Sequence, residues 1–250
     1  MWAKDRHQRI LSMLAANRQV SANDLADMLN VSRETVRRDL LALAETGQVN
    51  RVHGGAVLPE PRSEEPFRQR MTAKRRDKSE IARTAARLIR PGQTILVDAG
   101  TTTAIFAREL AKLSDVSVIT NSLDIATTLQ GAGREVLLLG GRMAADAPAT
   151  VGELTLSEIR RFHADLCFSA PVAVHPAKGA FFYDLQEAEI AIAMAAQARR
   201  SVLLADQGKL GETSRVRSWE TGEIGTLVTN RAADAEHLAA FRQAGVDVVT

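Results

Sequence analysis

The sequence predicts two parts of different class: a small N-terminal domain of helices closed by a hairpin, and a larger α/β domain with a mostly parallel sheet. Three observations predict it. Up to residue 58 apolar residues recur at helical spacing, then give way to two short strands flanking "HGG". From residue 79 onward short apolar strands alternate with helical stretches. Between them, residues 59–78 read "PEPRSEEPFRQRMTAKRRDK", with three prolines and many charges, which is a linker with helical character in its second half. The expected domains are therefore 1–58, a linker at 59–78, and 79–250.

In "RHQRILSMLAAN", Ile10, Leu11 and Leu14 share one stripe, with Arg6, Gln8 and Arg9 outside it. "SANDLADMLN" opens on Ser21, with Asp24 at the capping-box offset and Leu25, Met28 and Leu29 as its apolar face. "NV" makes a tight turn, after which Ser32 caps a third helix, "RETVRRDLLALAETG". Val36, Leu40 and Leu43 form its core side, and Gly47 is placed to stop it. "QVNRV" and "AVL" then read as two strands joined by "HGG".

In the second domain strands are expected at 94–98, 116–119, 135–139, 166–169, 201–205, 226–229 and 246–249. Helices are expected at 79–89, 103–112, 122–130, 153–161, 185–199 and 234–243. The helix at 185–199 is apolar nearly all round, so it should be buried within the domain or at a subunit contact.

Bulk properties exclude more than they identify. A chain of 250 residues accommodates one large domain or two unequal ones. A net charge of +2 says nothing about nucleic acid. The single cysteine, Cys167, cannot form an internal disulfide, and its apolar flanks mark a buried small hydrophobe. Five scattered histidines lack ligand spacing, so no metal is expected, and no cofactor either. No apolar run approaches a membrane span, and "MWAKDRHQRI" has no apolar core of a signal peptide, so a cytoplasmic protein without membrane contact is expected.

Three helices, a tight turn before the third and a hairpin after it make a winged helix-turn-helix, with the turn motif at about 20–39. Its third helix would place Ser32, Arg33, Thr35, Arg37 and Arg38 near a major groove, and Arg51 and His53 would lie on the wing. The alternative for Arg38 is a pair with Glu34, one turn before it. The segment from Asp5 to Leu58, above all "SRETVRRDL" and "RVHGGA", resembles the DNA-binding domain of the DeoR family of bacterial transcriptional regulators. That resemblance implies a duplex operator as partner, repression as the usual outcome, and a homo-oligomer reading paired half-sites.

"DAGTTT" joins a strand to a helix: Gly100 frees the turn, Thr101, Thr102 and Thr103 open the helix where an anion is favoured, and Asp98 could accept from sugar hydroxyls. Other strands end in Thr120-Asn121-Ser122, in Gly140-Gly141-Arg142, and in "ADQGK", which carries Asp206 and Lys209. Each piece alone reads as an ordinary cap or turn. Their recurrence at strand ends predicts one pocket for a small polyhydroxylated anion. "DAGTTT", "TNS", "LLLGG" and "LLADQGK" resemble the DeoR-family effector domain, which is similar in fold to ribose-5-phosphate isomerases. The resemblance implies a phosphorylated sugar or related metabolite as effector. The chain departs from it twice: Ser169, Ala170, Pro171 and Val172 replace a Gly-Ala-Asp-Gly stretch, and Ala191 stands where a lysine is usual. Both changes remove charge from the expected pocket, and His175 and Lys178 are nearby substitutes or else an exposed turn.

Two functions compete: an effector-controlled DNA-binding regulator, and a sugar-phosphate isomerase-like enzyme with an added DNA-binding domain. Isomerisation needs a positioned base. The carboxylate that the resemblance would supply is missing from "SAPV", and no catalytic residue is assigned. The expectation is a regulator, not an enzyme.

Overall fold

The computed structural model describes residues 3–17, 19–45, 48–52, 54–57 and 65–250; for 3, 4, 15–17, 19 and 45 the description is of backbone alone. The chain divides into two compact units, Met1–Ser63 and Glu64–Thr250.

The first unit runs α1 (Ala3–Asn17), β1 (Gln19–Ser21), α2 (Ala22–Leu29), α3 (Arg33–Glu45), β2 (Asn50–Val52) and β3 (Gly55–Val57). Ser21 caps α2 by accepting from the Asp24 N–H at 3.0 Å, and Asn30 ends it in the left-handed region at φ 52°. Ile10, Leu14, Leu25, Leu29, Val36, Leu40 and Leu43 are buried together, each worth roughly 1.5–3 kcal/mol of apolar transfer. The expected face of α2 needs correction: Met28 is 66% exposed, and Ala26 takes the core position instead. Arg6, expected outside the packed stripe, reaches Asp39 of α3 through two bonds of 2.7 and 2.9 Å. The strand β1 carries too little pattern to be seen in sequence. It pairs antiparallel with β3 to give the order β1-β3-β2. Gly55 is needed there, because a Cβ would stand 2.2 Å from the Val20 carbonyl oxygen. Gly47, His53 and Leu58 lie outside the described residues.

The second unit runs α4 (Phe67–Thr72), α5 (Arg75–Ala86), β4 (Gln93–Val97), α6 (Thr101–Leu110), β5 (Val116–Thr120), α7 (Leu123–Gly131), β6 (Val136–Leu138), β7 (Arg142–Met143), β8 (Thr150–Val151) and α8 (Glu153–Ile159). It continues with β9 (Ala164–Ser169), β10 (Ala173–His175), β11 (Gly179–Phe182), α9 (Leu185–Ala196), β12 (Ala198–Leu204), β13 (Val216–Trp219), β14 (Thr226–Val228), α10 (Ala235–Gln243) and β15 (Asp247–Val249). Seven strands form one parallel sheet in the order β15-β14-β12-β9-β4-β5-β6. Alternation along β4 sends Ile95 and Val97 into the cluster shared with α5, α6 and α7, and Leu96 into the one shared with α9. Burial on both faces is why these strands read as continuous apolar runs.

Composition places a linker at 59–78, but Phe67 and Lys78 are buried, so residues 65–78 fold onto the second unit. Helix α9 is buried on one side only, at Ala188, Ile190, Ala191 and Met194, while Leu185 and Ile192 are exposed. The stretch "HPAKGA" is the hairpin turn between β10 and β11, with Ala177 and Lys178 exposed at its tip.

Candidate DNA interface and effector site

In the first unit, Ser32 begins α3 by accepting from the Thr35 N–H at 3.1 Å, and the two hydroxyls lie 2.8 Å apart. Helix α3 buries Val36 and Leu40, so its opposite face carries exposed Arg33, Arg37 and Arg38. Glu34 sits among them. Arg37 donates to its two carboxylate oxygens at 3.0 and 3.1 Å, and Arg38 lies 3.5 Å away. Both side chains remain mostly exposed, so this pairing is a weak surface one. Arg51 is exposed on β2 of the wing, and His53 is not among the described residues. The axis of α3 is fixed by Asp39. Burial alone would raise its pKa, but hydrogen bonds from Arg6 and His7 outweigh that and hold it below the usual range.

In the second unit the strand order reverses at β4: β5 and β6 lie on one side of it, β9, β12, β14 and β15 on the other. Such a switch point opens a crevice beyond the carboxyl ends of β4 and β9. Asp98 and Ser169 meet there, the Ser169 hydroxyl donating to the Asp98 carboxylate at 2.7 Å. The Ala99 N–H donates to the other oxygen at 2.7 Å. Burial pushes the Asp98 pKa up to about 7, against the pull of those two bonds. Gly100 is packed against Ala170, and the Pro171 carbonyl accepts from Lys209 Nζ at 2.6 Å. The ends of β4, β9 and β12 thus form one continuous rim. Thr101, Thr102 and Thr103 open α6 and are all buried. Thr103 donates back to the Gly100 carbonyl, whereas the buried Thr102 hydroxyl has no partner.

The other expected residues are held by the fold itself. Asn121 accepts from the Ala99 N–H and donates to the Thr150 carbonyl, each at 3.0 Å. Thr120 donates to the Val97 carbonyl and accepts from the Ser122 N–H, and Ser122 caps α7. The Gly140 N–H donates to Glu158, Gly141 lies against Thr155, and Arg142 donates to Gln186 at 2.8 Å. Ala191 is fully buried in the apolar cluster of α9.

Two lysines from the composition-defined linker complete the rim. Lys74 Nζ stands 2.5 Å from Asp206, whose carboxylate is buried, and Gly208 leaves the space in which that ammonium sits. Lys78 is 4% exposed and donates to the Arg70 carbonyl. Its pKa is lowered to about 8, chiefly by burial and then by Lys209, with Arg70 and Lys74 adding to the effect and Asp206 opposing it. Lys74, Lys78, Lys209 and Arg70 thus gather near the buried Asp206 carboxylate, with Lys74 in direct contact with it, a local excess of positive charge. The sequence holds a signal for this: Lys78 precedes Ile81, Ala82 and Ala85 on the buried stripe of α5, where a lysine is out of place unless it has work to do.

Asp98 is 2% exposed, and both its oxygens accept hydrogen bonds within the fold. Among the described residues no group of His, Cys, Asp and Glu could hold a metal ion, and no helix is long and apolar enough to cross a membrane.

Comparison with known proteins matches residues 6–62 to the DeoR-like helix-turn-helix domain and residues 73–231 to the DeoR C terminal sensor domain. The HTH-type transcriptional regulator GolR of Listeria innocua is 32% identical over 252 residues, covering 99% of this chain and 98% of its own. The HTH-type transcriptional repressor GlcR of Bacillus subtilis is 30% identical over 251 residues, covering 100% of this chain and 96% of its own. Ribose 5-phosphate isomerase A of Methanocaldococcus jannaschii is similar over 53% of this chain and 52% of its own, at 20% identity and a TM-score of 0.39. Two family domains in order, together with relatives matched end to end, set the chain apart from enzymes: it belongs to the DeoR family of DNA-binding transcriptional regulators.

Proposed function

We propose that the protein is a repressor released from its operator by a small phosphorylated sugar or closely related anion. Ser32, Arg33, Thr35, Arg37, Arg38, Arg51 and His53 carry the operator contacts, and paired half-sites are read by a homo-oligomer in the cytoplasm. Phosphate groups take the arginines, and base edges take those nearest the start of α3. The effector lies over the ends of β4, β9 and β12. The observation that carries this reading is the set of lysines at 74, 78 and 209 around Asp206, beside the start of α6. A relative from Escherichia coli named the glycerol-3-phosphate regulon repressor supports the same ligand class.

Effector control requires unequal affinity for two arrangements of the protein, typically about 1–3 kcal/mol of coupling. A thermal-shift screen of matched phosphorylated and free sugars tests the site, since a ligand of the native state raises its stability. Phosphorylated members should raise Tm and weaken operator binding, and Lys74→Met and Lys78→Met should abolish both effects. A response confined to unphosphorylated sugars, or turnover of any member, refutes the reading.

A further inference from the structure

Helix α5 turns its apolar face inward and a different face outward. Ile81, Ala82 and Ala85 are core residues, so the helix is held firmly. Its outer side carries exposed Arg75, Arg76, Arg83 and Arg87, and Arg231, after β14, adjoins them. Arg76, Arg83 and Arg87 follow one another at i, i+7 and i+11, one stripe about 16 Å long. The carboxylate in that stripe, Glu80, is already engaged: it accepts from the Arg231 N–H at 3.1 Å and lies 3.9 Å from the Arg231 guanidinium. Asp77, in the first turn, is the other acid of this helix's outer half. The face is scored by two open grooves, of about 410 and 610 Å³, lined by these arginines with Glu80, Ser79 and Thr84.

We propose that this arginine face is a second DNA-binding surface, which grips the phosphate backbone of duplex flanking the operator. The inference rests on the regulator reading of the first unit. A row of like charges on a helix held firmly by its buried face presents a positive potential that a polyanion complements. Open grooves along a helix fit an extended chain of phosphates better than a closed pocket for one small anion. A duplex presents one charge per ~1.7 Å of axis with both strands counted, so 16 Å of duplex carries roughly ten phosphates around its whole circumference, enough for three arginines on one side to find partners. Guanidinium groups match phosphate oxygens two at a time. Duplex DNA is also the polyanion that every molecule of this protein meets at high local concentration once the first unit has bound.

The test uses the full chain and an operator selected from a random duplex pool. One duplex spans only the paired half-sites, and a second carries about ten further base pairs on each side. The wild type should bind the longer duplex more tightly, with a steeper dependence of log K on log salt, by about 0.9 per phosphate gained and so up to ~3 for three arginines. The variant R76A/R83A/R87A should match the wild type on the short duplex and gain nothing from the flanks. A wild type that gains nothing from flanking DNA overturns the proposal. So does a variant that keeps the flank-dependent gain while losing oligomer mass by light scattering, which would assign the face to copies of this chain. A wild type that fails on the short duplex refutes the regulator reading instead.

Discussion

With the proposed effector seated beside Lys78, the lowered pKa of that lysine predicts proton-linked binding, and the linkage has a calculable size. With a pKa of about 8, Lys78 is about half neutral at pH 8 and about a tenth neutral at pH 7. A phosphate monoester is fully ionised at pH 8, its second pKa being about 6. A dianion over the rim gives the Lys78 ammonium a partner of opposite charge and returns its pKa toward the usual lysine range. Binding should therefore take up about 0.5 proton at pH 8 and about 0.1 at pH 7. Across pH 7 to 9 the affinity should fall roughly tenfold, or ~1.4 kcal/mol, because free Lys78 becomes neutral over that interval while bound Lys78 stays charged. Calorimetric titration with glycerol 3-phosphate or ribose 5-phosphate, in two pH 8 buffers of different ionisation enthalpy, measures the uptake directly. Lys78→Met keeps the apolar stem, removes the titrating group and should abolish the uptake. Binding without proton uptake at pH 8, or uptake unchanged in Lys78→Met, refutes the placement of the anion beside Lys78.

Three further outcomes follow from named contacts. Asp98 has a folded-state pKa of about 7, above the unfolded value of about 3.9, so the native state holds the extra proton between those values. Wild-type stability should drop as pH rises from about 4 to 7, whereas Asp98→Asn should lack that drop in thermal melts, and parallel profiles would contradict it. Arg37→Ala and Arg38→Ala should each weaken operator binding and flatten the salt slope by about 0.9 if a phosphate contact is lost, with stability changed by less than ~1 kcal/mol. Glu34→Gln should do the reverse to non-specific duplex binding, measured by fluorescence anisotropy. Gly55→Ala drives a methyl group into the Val20 carbonyl and should cost about 1–3 kcal/mol in denaturant melts while weakening the grip of the wing on DNA.

Which elements form, and in what order, was legible in the sequence because each depends on neighbours along the chain. Ser21 and Ser32 announce the helices they cap, and the apolar runs at 94–98 and 201–205 announce strands that are buried on both faces. The two family resemblances are legible for the same reason, being carried by short local motifs. What a side chain does at the end of a strand was not legible in that way. Thr120, Asn121 and Ser122 look like ligands in sequence, yet in the fold their polar atoms bind Val97, Ala99, Thr150 and Ile125. Met28 sits at a core position of its helix pattern and is exposed, because the neighbours that could cover it are set by packing.

By itself, then, the sequence determined a duplex-reading unit joined to a parallel α/β sensor, since periodicity, caps and turns are local properties of the chain. Only the tertiary structure decided which cations gather at the end of β12. Lys74 and Lys78 sit in a charged, proline-containing stretch whose composition is that of a linker. They reach the site because Phe67 and Ile81 bury themselves in the second unit and swing the lysines over a strand end more than a hundred residues away, where Lys74 meets Asp206. That contact follows from long-range apolar burial, which no short window of sequence records.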